Sequence, residues 1–283
     1  MIPQKALHFY LEEEKKRPKY IGHTYIVFEK FDGWYGYKDP GKPIMSRNMR
    51  PIPSIDWMNS ILEKDFIRGR LIFEVMLEGI KDFSELNGIL NRTVGDYAAK
   101  NAYLVMHDYV EHMQIPFYKR YERLVEKVNH LDNERVRLAL PFDETSSVNT
   151  WKKIAKDVWG KGSEGIILKR SDGFYGSGKR NFDLMKIKEE VTLDLLVVGM
   201  DIGLGKYSGT LGSLKCKDKK GRIHNVSGMT DEQRHAWWET QAEKESIIGK
   251  VVEIKAMKIM KDGSLREPRF KCIRQDKTEF DID

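Results

Sequence analysis

The apolar, β-prone run Tyr25-Ile26-Val27-Phe28 leads straight into Glu29-Lys30-Phe31-Asp32-Gly33, and a turn-rich Asp39-Pro40-Gly41-Lys42-Pro43 follows. No other stretch constrains the fold as much. It asks for a lysine at the end of a buried strand, with the backbone bending at Gly33. A lysine so placed is poorly solvated, and loss of water favours the neutral amine over the ammonium. The neutral amine is a nucleophile, whereas a solvated surface lysine at neutral pH is not. An isolated Lys-x-Asp-Gly is far more often a snorkelling lysine beside a turn, so the chemistry has to be decided downstream.

A chain of 283 residues has the length for one large domain or two smaller ones, each with its own core. Its 40% hydrophobic and 33% charged residues describe an ordinary globular protein, not a disordered one. No run has the length and apolarity needed to span a bilayer, and Met1-Ile2-Pro3-Gln4-Lys5 lacks the apolar core of a signal peptide. The two cysteines, Cys216 and Cys272, have no metal-ligand spacing and suit a reducing compartment. The expectation is a cytoplasmic monomer with no membrane partner. A formal charge of +6 permits a polyanionic partner without demanding one.

Residues 5–17 predict a short amphipathic helix ending before Pro18. Strands are expected at 24–29 and 34–38, then a strand running into a loop over 44–53, and a helix from a Ser54 cap through Leu62. Residues 70–77 read as a strand with Glu74 at its centre, 82–92 as a helix, and 102–110 as a buried strand with His107 and Asp108 near its end. A helix over 116–128, a strand over 136–140 and a helix over 147–159 follow. Glu164 enters a strand over 163–170, and a strand over 183–188 sets Lys186 and Lys188 on one face. Beyond Lys188 the texture changes to short strands at 193–199, 212–217, 223–227, 250–257 and 270–274, with one helix at 230–244. Five short strands and a helix suggest a small β-barrel of the oligonucleotide-binding kind.

In order, the chain offers Lys30-Phe31-Asp32-Gly33, Ser46-Arg47-Asn48, Phe73-Glu74, His107-Asp108, Glu164-Gly165-Ile166-Ile167-Leu168-Lys169 and Leu184-Met185-Lys186-Ile187-Lys188. This set resembles the ordered motifs of the covalent nucleotidyltransferases, the polynucleotide ligases and mRNA-capping guanylyltransferases. The run from Leu265 to Lys277 resembles the C-terminal motif of ATP-dependent DNA ligases. Each motif is weak alone, but six in order with a seventh in the barrel are specific. The likeness covers nearly the whole chain and is greatest to the small viral and phage DNA ligases. It implies an α+β fold: a nucleotidyltransferase (ATP-grasp-like ligase) domain of antiparallel sheets and helices over 1–189, then a C-terminal OB-fold β-barrel over 190–283.

The resemblance also implies the chemistry. Lys30 would attack the α-phosphate of ATP and keep AMP as a phosphoramidate. The AMP would pass to the 5′-phosphate of a nick in double-stranded DNA, and the adjacent 3′-hydroxyl would seal it. Lys30, Asp32, Lys186 and Lys188 form the catalytic set, the last two pointing at the α-phosphate and discouraging protonation of Lys30. Nucleotide contacts fall to Glu29, Glu74 (the ribose hydroxyl), His107 (the adenine face), Glu164 and Arg47. Arg266, Arg269, Arg274 and Lys277 would orient pyrophosphate after the barrel swings about a hinge near Glu189 and Glu190. Glu164, with Glu74, would hold Mg²⁺ (or Mn²⁺ in its place), a hard cation that accepts few carboxylates alongside phosphate oxygens and water. Arg47 would clamp the nick 5′-phosphate, and Lys179 and Arg180 would touch DNA phosphate or AMP.

The family pattern is broken at two positions. His107 stands where an aromatic residue usually stacks, and an imidazole offers less area. Tyr35 stands where Lys-x-Asp-Gly-x-Arg has its arginine, and a phenol cannot replace a guanidinium. Either another cation such as Arg50 moves in or the contact is missing. The role of Asp108 is open, and Lys169 is either a surface lysine or a phosphate contact. A short Gly203–Gly212 connection, with no DNA-encircling insertion and no extra N-terminal domain, implies affinity resting on the two core domains and strongly salt-dependent. An RNA ligase, a guanylyltransferase and a non-catalytic nucleic-acid-binding module are the rivals. Arg274-Gln275-Asp276-Lys277 favours DNA ligase over the first two, and the intact lysine set argues against the third.

Overall fold

The β-prone runs of the first 188 residues divide between two five-stranded sheets. Their strands are β1 (Leu7–His8), β2 (Tyr25–Glu29), β3 (Trp34–Lys38), β4 (Ile44–Ser46), β5 (Arg70–Leu77), β6 (Ala102–Val110), β7 (Val136–Leu138), β8 (Pro141–Thr145), β9 (Gly165–Arg170) and β10 (Leu184–Lys188). One sheet has the order β1-β10-β9-β2-β8, the other β4-β3-β5-β6-β7. Pairing is antiparallel except for β1 with β10 and β6 with β7. Strands β2 and β3, neighbours in sequence, therefore belong to different sheets, and residues 30–33 cross from one to the other. The computed structural model describes residues 1–9, 20–63, 66, 68–80, 82–92, 97–239, 246–260 and 262–283, with backbone only at 97 and 98. They form two units, Met1–Lys188 and Glu189–Asp283.

Strand β2 is apolar throughout because both of its faces are covered. Tyr25 and Val27 pack with Trp151, Ala155 and Val158 of helix α4 (Val148–Gly160), while Ile26 and Phe28 pack against Val105 and Phe117 from the other sheet's side. Strand β10 alternates: Met185 and Ile187 enter the α4 core, which turns Lys186 and Lys188 to the opposite face. Trp151 is fully buried with its ring 5.2 Å edge-on from Tyr25, and Ser147 caps α4 by accepting from the Thr150 amide. The second sheet rests on helices α1 (Asn59–Leu62), α2 (Phe83–Leu90) and α3 (Phe117–Leu131) through Leu62, Leu86 and Leu124, which surround Phe73 and Val75.

Three local expectations change. Leu7 and His8 lie in a strand paired to Met185 and Lys186, not in a helix, and the remainder of the predicted helix over 10–17 lies outside the described residues. The stretch from Ser54 to Leu62 is a 3₁₀ segment (Pro53–Met58) running into α1, broken by non-helical dihedrals at Ile55. Strand β8 had no sequence signal: Pro-Phe-Asp-Glu-Thr is an exposed edge that is extended because β2 pairs with it.

The second unit contains β11 (Val191–Ile202), β12 (Leu211–Lys217), β13 (Ile223–Val226), α5 (Asp231–Glu239), β14 (Val251–Ala256), β15 (Lys258–Ile259), β16 (Leu265–Arg266) and β17 (Arg269–Ile273). Five strands form a sheet of order β13-β12-β11-β14-β17 over a core of Leu195, Val197, Leu214, Cys216, Val252 and Ile254. Its two edges meet at a parallel bridge between Ser227 and Arg269, so among the described residues the expected barrel is joined there by a bridge and not by a full ladder. The predicted helix over 230–244 is described as far as Glu239. No helix among the described residues is long and apolar enough to cross a membrane.

Candidate active site

A cavity of about 650 Å³ opens in the first unit, and Lys30, Arg47, Glu74, His107, Lys186 and Lys188 all contribute to its walls. Lys30 follows the last residue of β2, and its amide donates to the Gly165 carbonyl at 2.9 Å. Its Nζ donates to Glu164 Oε2 at 2.5 Å, and Lys188 Nζ pairs with the other oxygen of the same carboxylate. The three side chains are 19%, 9% and 12% exposed for Lys30, Glu164 and Lys188. Sequence reading set Lys30 against two cations; the structure inserts an anion between them. Burial pushes the Glu164 carboxyl up, but the Lys30 and Lys188 ammoniums outweigh it and hold the group below the usual carboxylate range.

Two glycines let these strands approach. A Cβ on Gly165, where φ is +150°, would stand 2.1 Å from the Ile187 carbonyl oxygen of β10. A Cβ on Gly33 would stand 2.6 Å from the Val75 carbonyl oxygen and 2.8 Å from Glu74 Cγ. The backbone does bend at Gly33, as the sequence suggested, and the close approach at the crossover is what excludes a side chain there.

Lys186 shares the cavity face with Lys188. Burial first, then the charges of Lys188, Lys30 and Arg47, pull its ammonium down to about 8. Burial and the Lys169 charge hold the His107 imidazole below its ordinary range, so the ring is neutral at pH 7. His107 Nε2 stands 3.9 Å from Glu74 Oε2. Tyr35 faces Glu74 across the β3–β5 register, and its ring lies 6.5 Å from that of His107. The Arg47 guanidinium carbon lies 4.8 Å over the Tyr35 ring. Arg50, the alternative cation, is exposed and not among the residues lining the cavity.

Behind His107 lies a buried cluster that the sequence reading mostly missed. Arg120 binds both oxygens of Asp108, at 2.8 and 3.1 Å. Lys169 is buried, not a surface lysine: its Nζ donates to the His107 carbonyl at 2.5 Å and faces Asp108 Oδ2 at 3.8 Å. Burial pulls Lys169 down to about 8 against the Asp108 carboxylate. Burial opposes the charge on Asp108, yet Arg120 and Lys169 hold that carboxyl below its usual range. The available signal was Asp108 in an apolar strand, which required a buried cation somewhere.

The remaining residues are dispersed. Glu29 lines the cavity and accepts a hydrogen bond from Ser163 Oγ. Asp32 sits in the crossover loop, partly buried and outside the cavity lining. Arg180 is exposed at the cavity's rim, and Lys179 is exposed beyond it. Arg269, Arg274 and Lys277 belong to the second unit. Arg274 Nη1 and Lys277 Nζ reach Asp194 Oδ2 at 3.0 and 2.6 Å, while Arg269 is exposed and bonded to Glu267.

The family description of the ATP dependent DNA ligase domain matches residues 71–188, and that of the DNA ligase OB-like domain matches 202–274. A DNA ligase of Archaeoglobus fulgidus is 32% identical over 205 residues, covering 64% of this chain and 36% of that protein. One from Thermococcus fumicolans is 30% identical over 193 residues, 59% of this chain and 34% of that protein. The matched region is thus about a third of those relatives' length. Among solved structures, a Lig E DNA ligase, described as binding DNA with a minimal scaffold, superposes with a TM-score of 0.78 at 21% identity over 96% of this chain and 98% of that one. The Chlorella virus DNA ligase-adenylate gives 0.54 at 23% identity over 98% and 100%. These two likenesses are of fold.

Proposed function

The chain belongs to the ATP-dependent DNA ligase family, and from that premise we propose that it seals 3′-hydroxyl/5′-phosphate nicks in duplex DNA through a lysyl-AMP on Lys30 and a DNA-adenylate. The observation that carries this reading is Lys30 Nζ, held in the cavity by a carboxylate that also holds Lys188, with Lys186 on the same wall. In the first step Nζ, having lost its proton, bonds to the α-phosphorus of ATP as the bond to the pyrophosphate oxygen breaks. Lys30 must first exchange its contact with Glu164. Lys186 and Lys188 stabilise the charge spread over the phosphoryl oxygens, which is most of what a protein can supply to such a reaction. Glu74 receives the ribose and the neutral His107 ring the adenine. In the second step a 5′-phosphate oxygen of the nick attacks the AMP phosphorus and Lys30 leaves. In the third the 3′-hydroxyl attacks and AMP departs.

Among the described residues no three His, Cys, Asp or Glu side chains cluster as a metal cage. For Mg²⁺ we assign Glu164 and Glu74, the one or two carboxylates such an ion takes together with water and phosphate oxygens; both Glu164 oxygens are held by Lys30 and Lys188, so an ion there would have to displace a lysine. Bound there, the ion would neutralise phosphate charge. In the second unit, Arg269 is more open to pyrophosphate than Arg274 or Lys277, and those two would join it on exchanging Asp194. The link at Glu189 and Glu190 is the hinge for that movement, and the working form is a monomer on nicked DNA.

Intact mass after incubation with ATP and Mg²⁺ tests the first step, with one added AMP expected on the native chain and none on Lys30→Ala. Label from α-labelled ATP retained by that variant would defeat the assignment. ATP against GTP, and nicks with RNA or DNA on each strand, exclude a guanylyltransferase or an RNA ligase if only ATP and a DNA nick support sealing.

A further inference from the structure

Where the family pattern has a second arginine, this chain has a phenol, and the register of the β3–β4 hairpin explains what the phenol does. Gly36 pairs with Ser46 at the end of the ladder, and Arg47, the first residue of the turn that follows, lies beside Tyr35. The guanidinium carbon lies 4.8 Å above the ring, within cation–π range. Among the described residues no carboxylate pairs with Arg47, although Arg70, Arg120 and Arg274 each have one. Arg47 lines the cavity close enough to Lys186 for its charge to oppose protonation there.

A carboxylate partner would orient the guanidinium but would neutralise it and occupy its donors. An aromatic face orients it from one side and leaves the in-plane N–H groups and the full charge for an anion. The ring is itself fixed, packed with Tyr37, Met45 and Tyr175. Burial, then the Tyr175 hydroxyl, push the Tyr35 phenol well above its ordinary range, so the ring adds no negative charge of its own. An arginine at position 35 would instead set a second cation against Arg47.

We infer that Tyr35 is a positioning residue that holds Arg47 in the cavity by its ring face, so that the uncommitted guanidinium can receive the 5′-phosphate of the nick. Tyr35 thereby fills the place of the missing arginine without supplying a charge. This rests on the ligase reading above, and it predicts that Tyr35 acts only through Arg47.

The test uses the full chain, adenylated beforehand, with nicked duplexes carrying a 5′-phosphate or a 5′-hydroxyl. Tyr35→Leu should raise the apparent KM for the phosphorylated nick about three- to fivefold, the size of a cation–π contact made by an exposed guanidinium. In an Arg47→Ala background the same change should have an effect of less than about twofold, because the interaction is already gone. Tyr35→Phe keeps the face and should stay within about twofold of the native chain. Binding of the 5′-hydroxyl nick should be the same in the native and Tyr35→Leu proteins. Equal losses in both backgrounds, or a Tyr35→Phe loss as large as that of Tyr35→Leu, would overturn the inference. Should Tyr35→Leu not fold, fluorinated phenylalanines at position 35 weaken the ring face at nearly constant shape. Nick affinity should then fall with each added fluorine, and a flat series overturns the inference. A native chain that forms no lysyl-AMP or seals no nick condemns the ligase reading instead, and the two failures are therefore distinct.

Discussion

In the proposed reaction a triphosphate would meet Lys186, which burial and three neighbouring cations have drawn down to about 8. An anion there restores the preference for the ammonium, so ATP binding should take up a proton between about pH 8 and the ordinary lysine range. Calorimetry in buffers of different ionisation heats, with an ATP analogue whose α–β bridge cannot be cleaved, measures that uptake, and Lys186→Met should remove it. Without ligand the sign for stability follows from the same lowered value. The unfolded chain holds the proton more tightly, so the penalty of a charged Lys186 is full below about pH 8 and is relieved as pH rises toward 10.5. Glu164→Gln removes the anion between Lys30 and Lys188, leaving two half-buried ammoniums facing one another. Self-adenylation by that variant is expected to fall at least about tenfold, with lysyl-AMP formation as the readout. An unchanged rate would mean the carboxylate only stores the lysines at rest.

At the scale of elements, the cavity depends on two supports. One is α4, whose Trp151 fills the core behind β2 and β9 and keeps Lys186 and Lys188 turned outward. Trp151→Ala should lower stability by about 3–5 kcal/mol, measured by denaturant unfolding, because the removed indole leaves a cavity that a β-sheet cannot close. The other is the Asp108–Arg120–Lys169 cluster, which ties β6 to α3 and β9. Asp108→Asn strands two buried cations and should cost about 3–5 kcal/mol. Because Lys169 holds the His107 carbonyl, the variant should also weaken ATP binding; a stability loss with ATP affinity intact would show that the cluster is a strut alone.

At the scale of the whole molecule, the net charge of +6 is modest, so the proposed binding to nicked DNA would depend on where the cations stand. Binding should weaken steeply with salt, and Arg180→Ala should reduce the slope of log K against log salt by about one phosphate contact, with little change in lysyl-AMP formation. Arg274→Ala leaves Asp194, buried at the base of β11, with Lys277 as its remaining close cation. It should therefore destabilise the second unit as well as slow the first chemical step, and a protein of native stability would place Arg274 in the pyrophosphate site alone.

Much of this was legible from local pattern. Near-continuous β-prone apolar runs marked β5 and β6 to the residue, since a strand covered on both faces leaves that trace in any order of strands. The Lys30, Glu164 and Lys186-Ile187-Lys188 motifs were legible because the spacing of side chains on a strand sets their face. Strand β8, the close approach at Gly33, the carboxylate between two lysines, the buried Lys169 and the Arg47–Tyr35 contact were decided only in three dimensions. Each joins groups that are distant in sequence or depends on which of two sheets a strand enters. The chain's own order names the candidate groups, but the crossover at residues 30–33 determines which of them meet, because pairing partners and desolvation are properties of the packed chain and not of any segment of it.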